Sequence, residues 1–261
     1  MGLEAMFEVQ NLSFSYGAHE ILKGLSFAVR RGELCGLFGP NGCGKTTLFK
    51  CCLSFLKFGG KVLVEGRDTR SLGVKSRARM IAYVPQEHHP PFPYTVFEVV
   101  LMARTPHMAS GLFGVSRGDQ TRVMEALDWL DIADLAPLRY TQLSGGQRQL
   151  VLIARALAQE TSVVLLDEPT SSLDFHNQVK VWQVLRRIAR QGITILACSH
   201  DPNHVAWFCD RVVMIHNRKI VAEGVPREVF QEGLLNTLYQ GSCQVVEAGD
   251  IPVVLPKYFL N

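Results

Sequence analysis

Eight consecutive residues, Gly39-Pro40-Asn41-Gly42-Cys43-Gly44-Lys45-Thr46, have the types and spacing to hold a polyphosphate. Glycines so placed let the backbone curl until its N–H groups point at phosphate oxygens, and a helix beginning at Lys45 adds the positive end of its dipole. Lys45 is expected to reach the β- and γ-phosphates. Thr46 offers a hydroxyl to Mg²⁺, which offsets charge as a terminal phosphoryl group departs, and Thr47 continues the cradle. Downstream, Asp167-Glu168 closes the apolar run Val163-Val164-Leu165-Leu166, putting two carboxylates at a strand end where α/β sheets hold ligands. Asp167 is expected to support Mg²⁺ through water, and Glu168 to orient and polarise an attacking water. Alone, such a run is an ordinary strand terminus; the phosphate loop is what gives it chemistry. A third stretch, Leu143-Ser144-Gly145-Gly146-Gln147, combines a helix-capping Ser with two glycines that clear the backbone for close approach. Its blander reading is a glycine-containing cap. By average residue usage these five residues arise by chance in on the order of one chain in several thousand, which makes them the most discriminating stretch.

The elements that must position these groups are legible in outline. Alternating Phe7, Val9, Leu12 and Phe14, with a similar pattern at 25–29, predict a small β-layer. Residues 34–38 predict a buried strand feeding the glycine loop, and 45–54 a helix. Strands are expected at 62–64 and 81–84, after which Pro85, Pro90, Pro91 and Pro93 interrupt regular structure. From Thr95 to about Gln159 the texture is helical, Val123, Ala126, Leu127 and Leu130 forming one apolar stripe, with 106–118 read as a loop. The runs 163–166 and 193–198, separated by helical 177–190, make a βαβ unit. Strands at 211–215 and 219–222 close the sheet, helical 226–230 follows, and the tail to Asn261 carries weak strand signals.

Composition limits the classes. The chain has 261 residues, 47% hydrophobic and 20% charged, as ordinary folded domains do. A net charge of +3 is too small to indicate nucleic acid. No apolar run approaches the roughly 20 residues of a membrane span, and neither a signal peptide nor a myristoylation pattern is present, so a cytoplasmic protein is expected. Seven cysteines without a CxxC pair read as reduced, core-packing thiols. His200 and His204 could hold a metal only if both lay on one helix, and His88-His89 reads as an exposed loop rather than a metal site.

Residues 39–46, 143–147 and 167–168 resemble the Walker A, signature and Walker B motifs of ABC ATPases, and the resemblance covers nearly the whole chain. It implies an α/β fold: a P-loop NTPase core with an antiparallel β subdomain (6–86 and 160–240), an α-helical signature subdomain (87–159) and a short C-terminal extension (241–261). It also implies ATP and Mg²⁺ as ligands. Gly39, Pro40, Asn41, Gly42, Cys43, Gly44, Lys45, Thr46 and Thr47 would hold the phosphates. Cys43 stands where the family commonly has Ser. Tyr16 would stack on adenine, although a lone Tyr at a strand end is otherwise packing. Gln86 would be the Q-loop residue, reaching Mg²⁺ with Thr46 and Asp167. Glu168, His200, Gln86 and Lys45 would make up the catalytic set, and Ser144, Gly145, Gly146 and Gln147 would act in trans on the nucleotide of a second copy. Ser171-Ser172-Leu173-Asp174 matches the D-loop, Asp174 supporting assembly.

Leu101-Met102-Ala103-Arg104-Thr105-Pro106-His107, Ser116-Arg117-Gly118-Asp119 and the tail with Cys243 and Ile251-Pro252-Val253-Val254-Leu255-Pro256 are similar to importers of ferric siderophores, haem, cobalamin and related chelates. That resemblance implies two transmembrane permease subunits as partners and, indirectly, an extracytoplasmic substrate-binding protein, with the chain on the cytoplasmic face of the cell membrane. Two other readings stand beside it: a soluble ABC ATPase of DNA repair or translation without a permease, and a P-loop small-molecule kinase, which leaves residues 143–147 without purpose.

Overall fold

The computed structural model describes residues 5–86, 93–108, 115–171 and 173–257. Its elements in chain order are β1 (Ala5–Tyr16), β2 (His19–Arg30), β3 (Leu34–Phe38), α1 (Lys45–Cys52), β4 (Gly59–Val64), β5 (Arg67–Asp68), α2 (Val74–Ala78), β6 (Ile81–Val84), α3 (Val96–Leu101), α4 (Arg117–Asp128), α5 (Gly145–Ala158), β7 (Val163–Leu166), α6 (Phe175–Ala189), β8 (Thr194–Ser199), α7 (Pro202–Phe208), β9 (Arg211–His216), β10 (Lys219–Gly224), α8 (Pro226–Val229), α9 (Glu232–Tyr239), β11 (Cys243–Ala248) and β12 (Ile251–Pro256).

The apolar runs make the centre. Strands β3, β7 and β8 are buried along their whole length, as a sheet covered on both faces requires. They lie in a six-stranded sheet of order β10-β9-β3-β8-β7-β6, parallel except for the antiparallel edge strand β10. The period-two alternation sends Leu34, Phe38, Ile195, Ala197, Val212 and Met214 to one core, against the helices. Cys35, Leu37, Leu196, Cys198, Val213 and Ile215 go to the other, against α1 and the β-layer. Each such large apolar side chain contributes about 1.5–3 kcal/mol by leaving water.

The β-layer is an antiparallel sheet of order β2-β1-β4-β5. Its first two strands run further than the residue pattern shows, because register shifts near Leu12 and Phe14 break the alternation without breaking the pairing. The reading of 106–118 as one loop is corrected at its end. Arg117 and Gly118 are helical, since Ser116 and Asp119 form a reciprocal capping box that outweighs the helix cost of Gly118. Residues 109–114, the His88-His89 pair and Ser172 lie outside the described residues. The expected helix 45–54 stops at Cys52, with Ser54 at a φ of 55°. The segments that became α2 and α9 carry no periodicity long enough to be read beforehand. The tail does become strands, the hairpin β11–β12.

Arg104, within the importer-like stretch, is buried and ties three elements together. Its Nε donates to Asp119 Oδ1 at 2.9 Å, and its Nη1 donates to Glu160 Oε2 and to the Ala158 carbonyl, each at 2.7 Å. His107 anchors the same corner, its Nε2 lying 2.8 Å from the Gln159 carbonyl.

Candidate functional site

Strand β3 has β8 on one side and β9 on the other, so the residues after Phe38 leave the sheet at its carboxyl edge between diverging connections. A cavity of about 370 Å³ opens there, lined by Ile21, Asn41, Gly42, Gly44, Lys45, Thr46, Thr47, Gln86 and Glu168. Two glycines are required by geometry. A Cβ on Gly39 would stand 2.3 Å from the Ile215 carbonyl oxygen. At Gly44 φ is +103° and a Cβ would meet Leu22 Cδ2 at 2.7 Å. Pro40 and Cys43 face an adjoining cavity of about 300 Å³, with Asn41 and Gly42 lining both. Burial pushes the Cys43 thiol up, with the Lys45 ammonium opposing.

Lys45 is almost fully buried, and a buried ammonium must be paired. Its Nζ donates to the carbonyls of Gly39 at 2.7 Å and Pro40 at 3.3 Å, and stands 3.8 Å from Glu168 Oε1. The other oxygen of Glu168 receives Gln86 Nε2 at 3.3 Å and lies 3.1 Å from His200 Nδ1. One carboxylate thus gathers a lysine from α1, a glutamine from the end of β6 and a histidine from the end of β8. Glu168 itself takes a φ of 49°, an unusual backbone state that turns its side chain from the strand toward the cavity.

Asp167, next to it, is 2% exposed. Burial pushes its carboxyl above the usual range, opposed by hydrogen bonds from the Thr46 and Tyr83 hydroxyls, the latter at 3.3 Å. Tyr83 is in turn pushed up by burial and by the facing Asp167. Sequence reasoning missed Tyr83 and Ile21. Tyr83 was discoverable as a polar-tipped side chain in the strand 81–84, three residues before Gln86.

Other expected residues lie elsewhere. Ser144 caps α5 and is exposed with Gly145. The Gln147 N–H donates to Ser144 Oγ at 3.2 Å and the Ser144 N–H to Gln147 Oε1 at 3.0 Å. Gly146 rests against Leu173, a Cβ there meeting its Cδ2 at 3.4 Å. None of these four lines the cavity beside Lys45. Asp174 caps α6 by accepting from the Asn177 N–H at 2.8 Å. Tyr16 is 47% exposed at the tip of the β1–β2 hairpin, edge-on to Phe14. His200 precedes α7 whereas His204 is on it, buried and 3.3 Å from Asp201 Oδ2, so the two do not share a helix as a metal pair would need. Among the described residues no cluster of three or more His, Cys, Asp or Glu could hold a metal ion. All seven cysteines are free thiols and all but Cys43 are buried.

A family model described as ABC transporter matches residues 22–171. The iron(3+)-hydroxamate import ATP-binding protein of Bacillus subtilis is 35% identical over 240 residues, covering 91% of this chain and 88% of that protein. Among solved structures, an inward-facing ABC transporter assigned provisionally to the metal-chelate type superposes with a TM-score of 0.83 at 32% identity, covering 98% of this chain and 99% of that one. A dimeric ATP-binding cassette in a post-hydrolysis state, bound to ADP and Pi, superposes at 0.73 with 27% identity, covering 85% and 99%.

Proposed function

This chain belongs to the ABC transporter family of ATP-binding proteins, matched by its family model over residues 22–171, and on that premise we propose that it hydrolyses ATP to power import of a metal chelate. The convergence of Lys45, Gln86 and His200 on Glu168, at the mouth of a backbone phosphate cradle, carries the hydrolytic part.

In this reading the N–H groups of residues 41–47 hold the β- and γ-phosphates, and Lys45 exchanges the carbonyls of Gly39 and Pro40 for phosphate oxygens. A water between Glu168 and the γ-phosphate is oriented and polarised by the carboxylate. His200, pivoting from the same carboxylate, hydrogen-bonds the γ-phosphate. The Thr46 hydroxyl, the Gln86 carboxamide and the Asp167 carboxylate are hard oxygen donors at one end of the site, a set that fits Mg²⁺. Thr46 and Gln86 would hold the ion and Asp167 would support it through water, and the ion would supply positive charge to offset the negative charge developing on the phosphoryl group. Tyr16, exposed at the tip of the β1–β2 hairpin, is the adenine platform in this reading.

Ser144, Gly145, Gly146 and Gln147, at a helix tip outside the cavity whose first two residues are exposed, serve the nucleotide of a second copy, and the dimeric cassette that superposes on this chain supports that pairing. Two copies pair beneath two permease subunits, the Gln86 region and the helical region (87–159) of each receiving a permease helix, which holds the chain at the cytoplasmic face of the membrane. Among the described residues no helix is long and apolar enough to cross a membrane itself. An extracytoplasmic binding protein delivers the cargo. Similarity to an iron-hydroxamate import protein along nine-tenths of the chain favours this role over one in DNA repair or translation.

The test is transport by the reconstituted complex, offering ferric hydroxamate, haem and cobalamin. ATP-dependent uptake of one chelate is expected with the wild-type chain and none with Lys45→Ala. Failure to take up any chelate while hydrolysing ATP would refute the cargo class.

A further inference from the structure

The tail strand β12 is remote in sequence from every residue given chemistry above, yet it is joined to the element that follows His200. Asn203 Nδ2 donates to the Val254 carbonyl at 3.1 Å, and the Val254 N–H donates to Asn203 Oδ1 at 2.8 Å. The side-chain amide therefore pairs with the outer edge of β12 as a neighbouring strand residue would, using both ends of the amide. Asn203 lies in the first turn of α7, where its own N–H and that of His204 donate to Asp201 Oδ1 at 2.8 and 3.4 Å. The Asp201 N–H donates to Ser199 Oγ at 3.1 Å. His200 sits between Ser199 and Asp201 in this bonded turn. Its side chain is half exposed, so packing does little to hold it and the turn must.

The same C-terminal unit also braces the phosphate loop. Phe38, the residue before Gly39, packs edge-on against Phe230 with ring centroids 5.1 Å apart, and against Tyr239 at 6.5 Å. Strand β3, which feeds the phosphate loop, and helix α7, which follows His200, thus rest on one support, anchored by buried Cys243 and Val254.

We propose that Asn203 is a positioning residue for ATP hydrolysis, pinning the start of α7 to β12 and so holding His200 over Glu168. This rests on the hydrolytic reading above. Displacement of a reacting group by about 1 Å can cost up to about 100-fold in rate.

In the full chain, Asn203→Ala is expected to lower kcat about tenfold while the ATP dissociation constant stays within about twofold. In single-turnover hydrolysis on a His200→Ala background the same change should reduce the rate less than about twofold, because the group it positions is gone. A tenfold loss persisting without His200, or a wild-type kcat, overturns the proposal. Should Asn203→Ala melt more than about 5 °C lower, Val254→Pro decides, since it deletes the N–H donor and leaves Asn203 in place. Val254→Pro is expected to reproduce the kcat loss, and a wild-type kcat for it overturns the proposal equally. A wild-type chain that turns over no ATP would instead defeat the hydrolytic reading.

Discussion

At the start of α1, Gly44 holds a φ of 103° without a side-chain cap, under Ile21 and Leu22 of the β-layer, and the next residue, Lys45, is buried. At the start of α5, Ser144 and Gln147 cap the helix by reciprocal hydrogen bonds and the tip stands in solvent. Both helices direct glycine-lined N–H groups outward, and both tips favour an anion. The first has walls, neighbouring carboxylates and a buried lysine that rests on the carbonyls of Gly39 and Pro40, partners that a phosphate would replace. The second is a stable cap that, among the described residues, lines none of the cavity beside Lys45. A composite site split between copies requires this division, one half preorganised and the other presented.

The largest effects should fall at the walled tip. Lys45→Ala and Glu168→Gln are each expected to lower ATP turnover by about 100-fold or more, for different reasons. Lys45→Ala loses nucleotide affinity. Glu168→Gln keeps it and accumulates as an ATP-dependent dimer, read by size-exclusion chromatography with and without ATP; normal turnover by Glu168→Gln would remove the carboxylate from the mechanism.

The glycines sharpen the contrast in stability. Gly44→Ala forces a Cβ into a left-handed backbone against Leu22 and should cost about 2–3 kcal/mol by urea unfolding. Gly146→Ala, whose nearest contact is 3.4 Å away, should cost less than about 1 kcal/mol. Equal costs would mean that the two tips are not built differently. Removing the cap with Ser144→Ala should cost about 1 kcal/mol in the same measurement, as ordinary N-caps do.

The smallest expected effect is one of pH. Burial holds the Asp167 carboxyl above its ordinary range, so the folded chain retains a proton that the unfolded chain releases. Asp167's contribution is fully present below the unfolded value, about pH 4, and is lost as pH rises through the folded one. Asp167→Asn escapes that loss. Its melting temperature relative to wild type, without nucleotide, should rise between pH 4 and pH 7; a flat difference would show that burial does not perturb Asp167.

Much of this was legible in the residues. Apolar runs such as 163–166 read as strands because a strand buried on both faces tolerates little polarity, and the phosphate loop read as a loop because its glycines have no other use. The helix start at Arg117 was hidden because Gly118 argues locally against a helix and its capping box extends past the apparent loop. The separation of His200 from His204 turned on where α7 begins, a boundary set by Asp201 accepting two backbone N–H bonds.

By itself, the order of residues determined which groups are candidates to bear chemistry and which edge of which strand carries them, because strand period and glycine conformation are local properties. Tertiary structure alone decided that Lys45, Gln86 and His200 meet on Glu168, that Ser144 lies outside the cavity beside Lys45, and that Val254 supports the turn holding His200. These contacts join residues from about 30 to more than 120 positions apart, and only the packing of helices on both faces of the sheet brings them within hydrogen-bonding range.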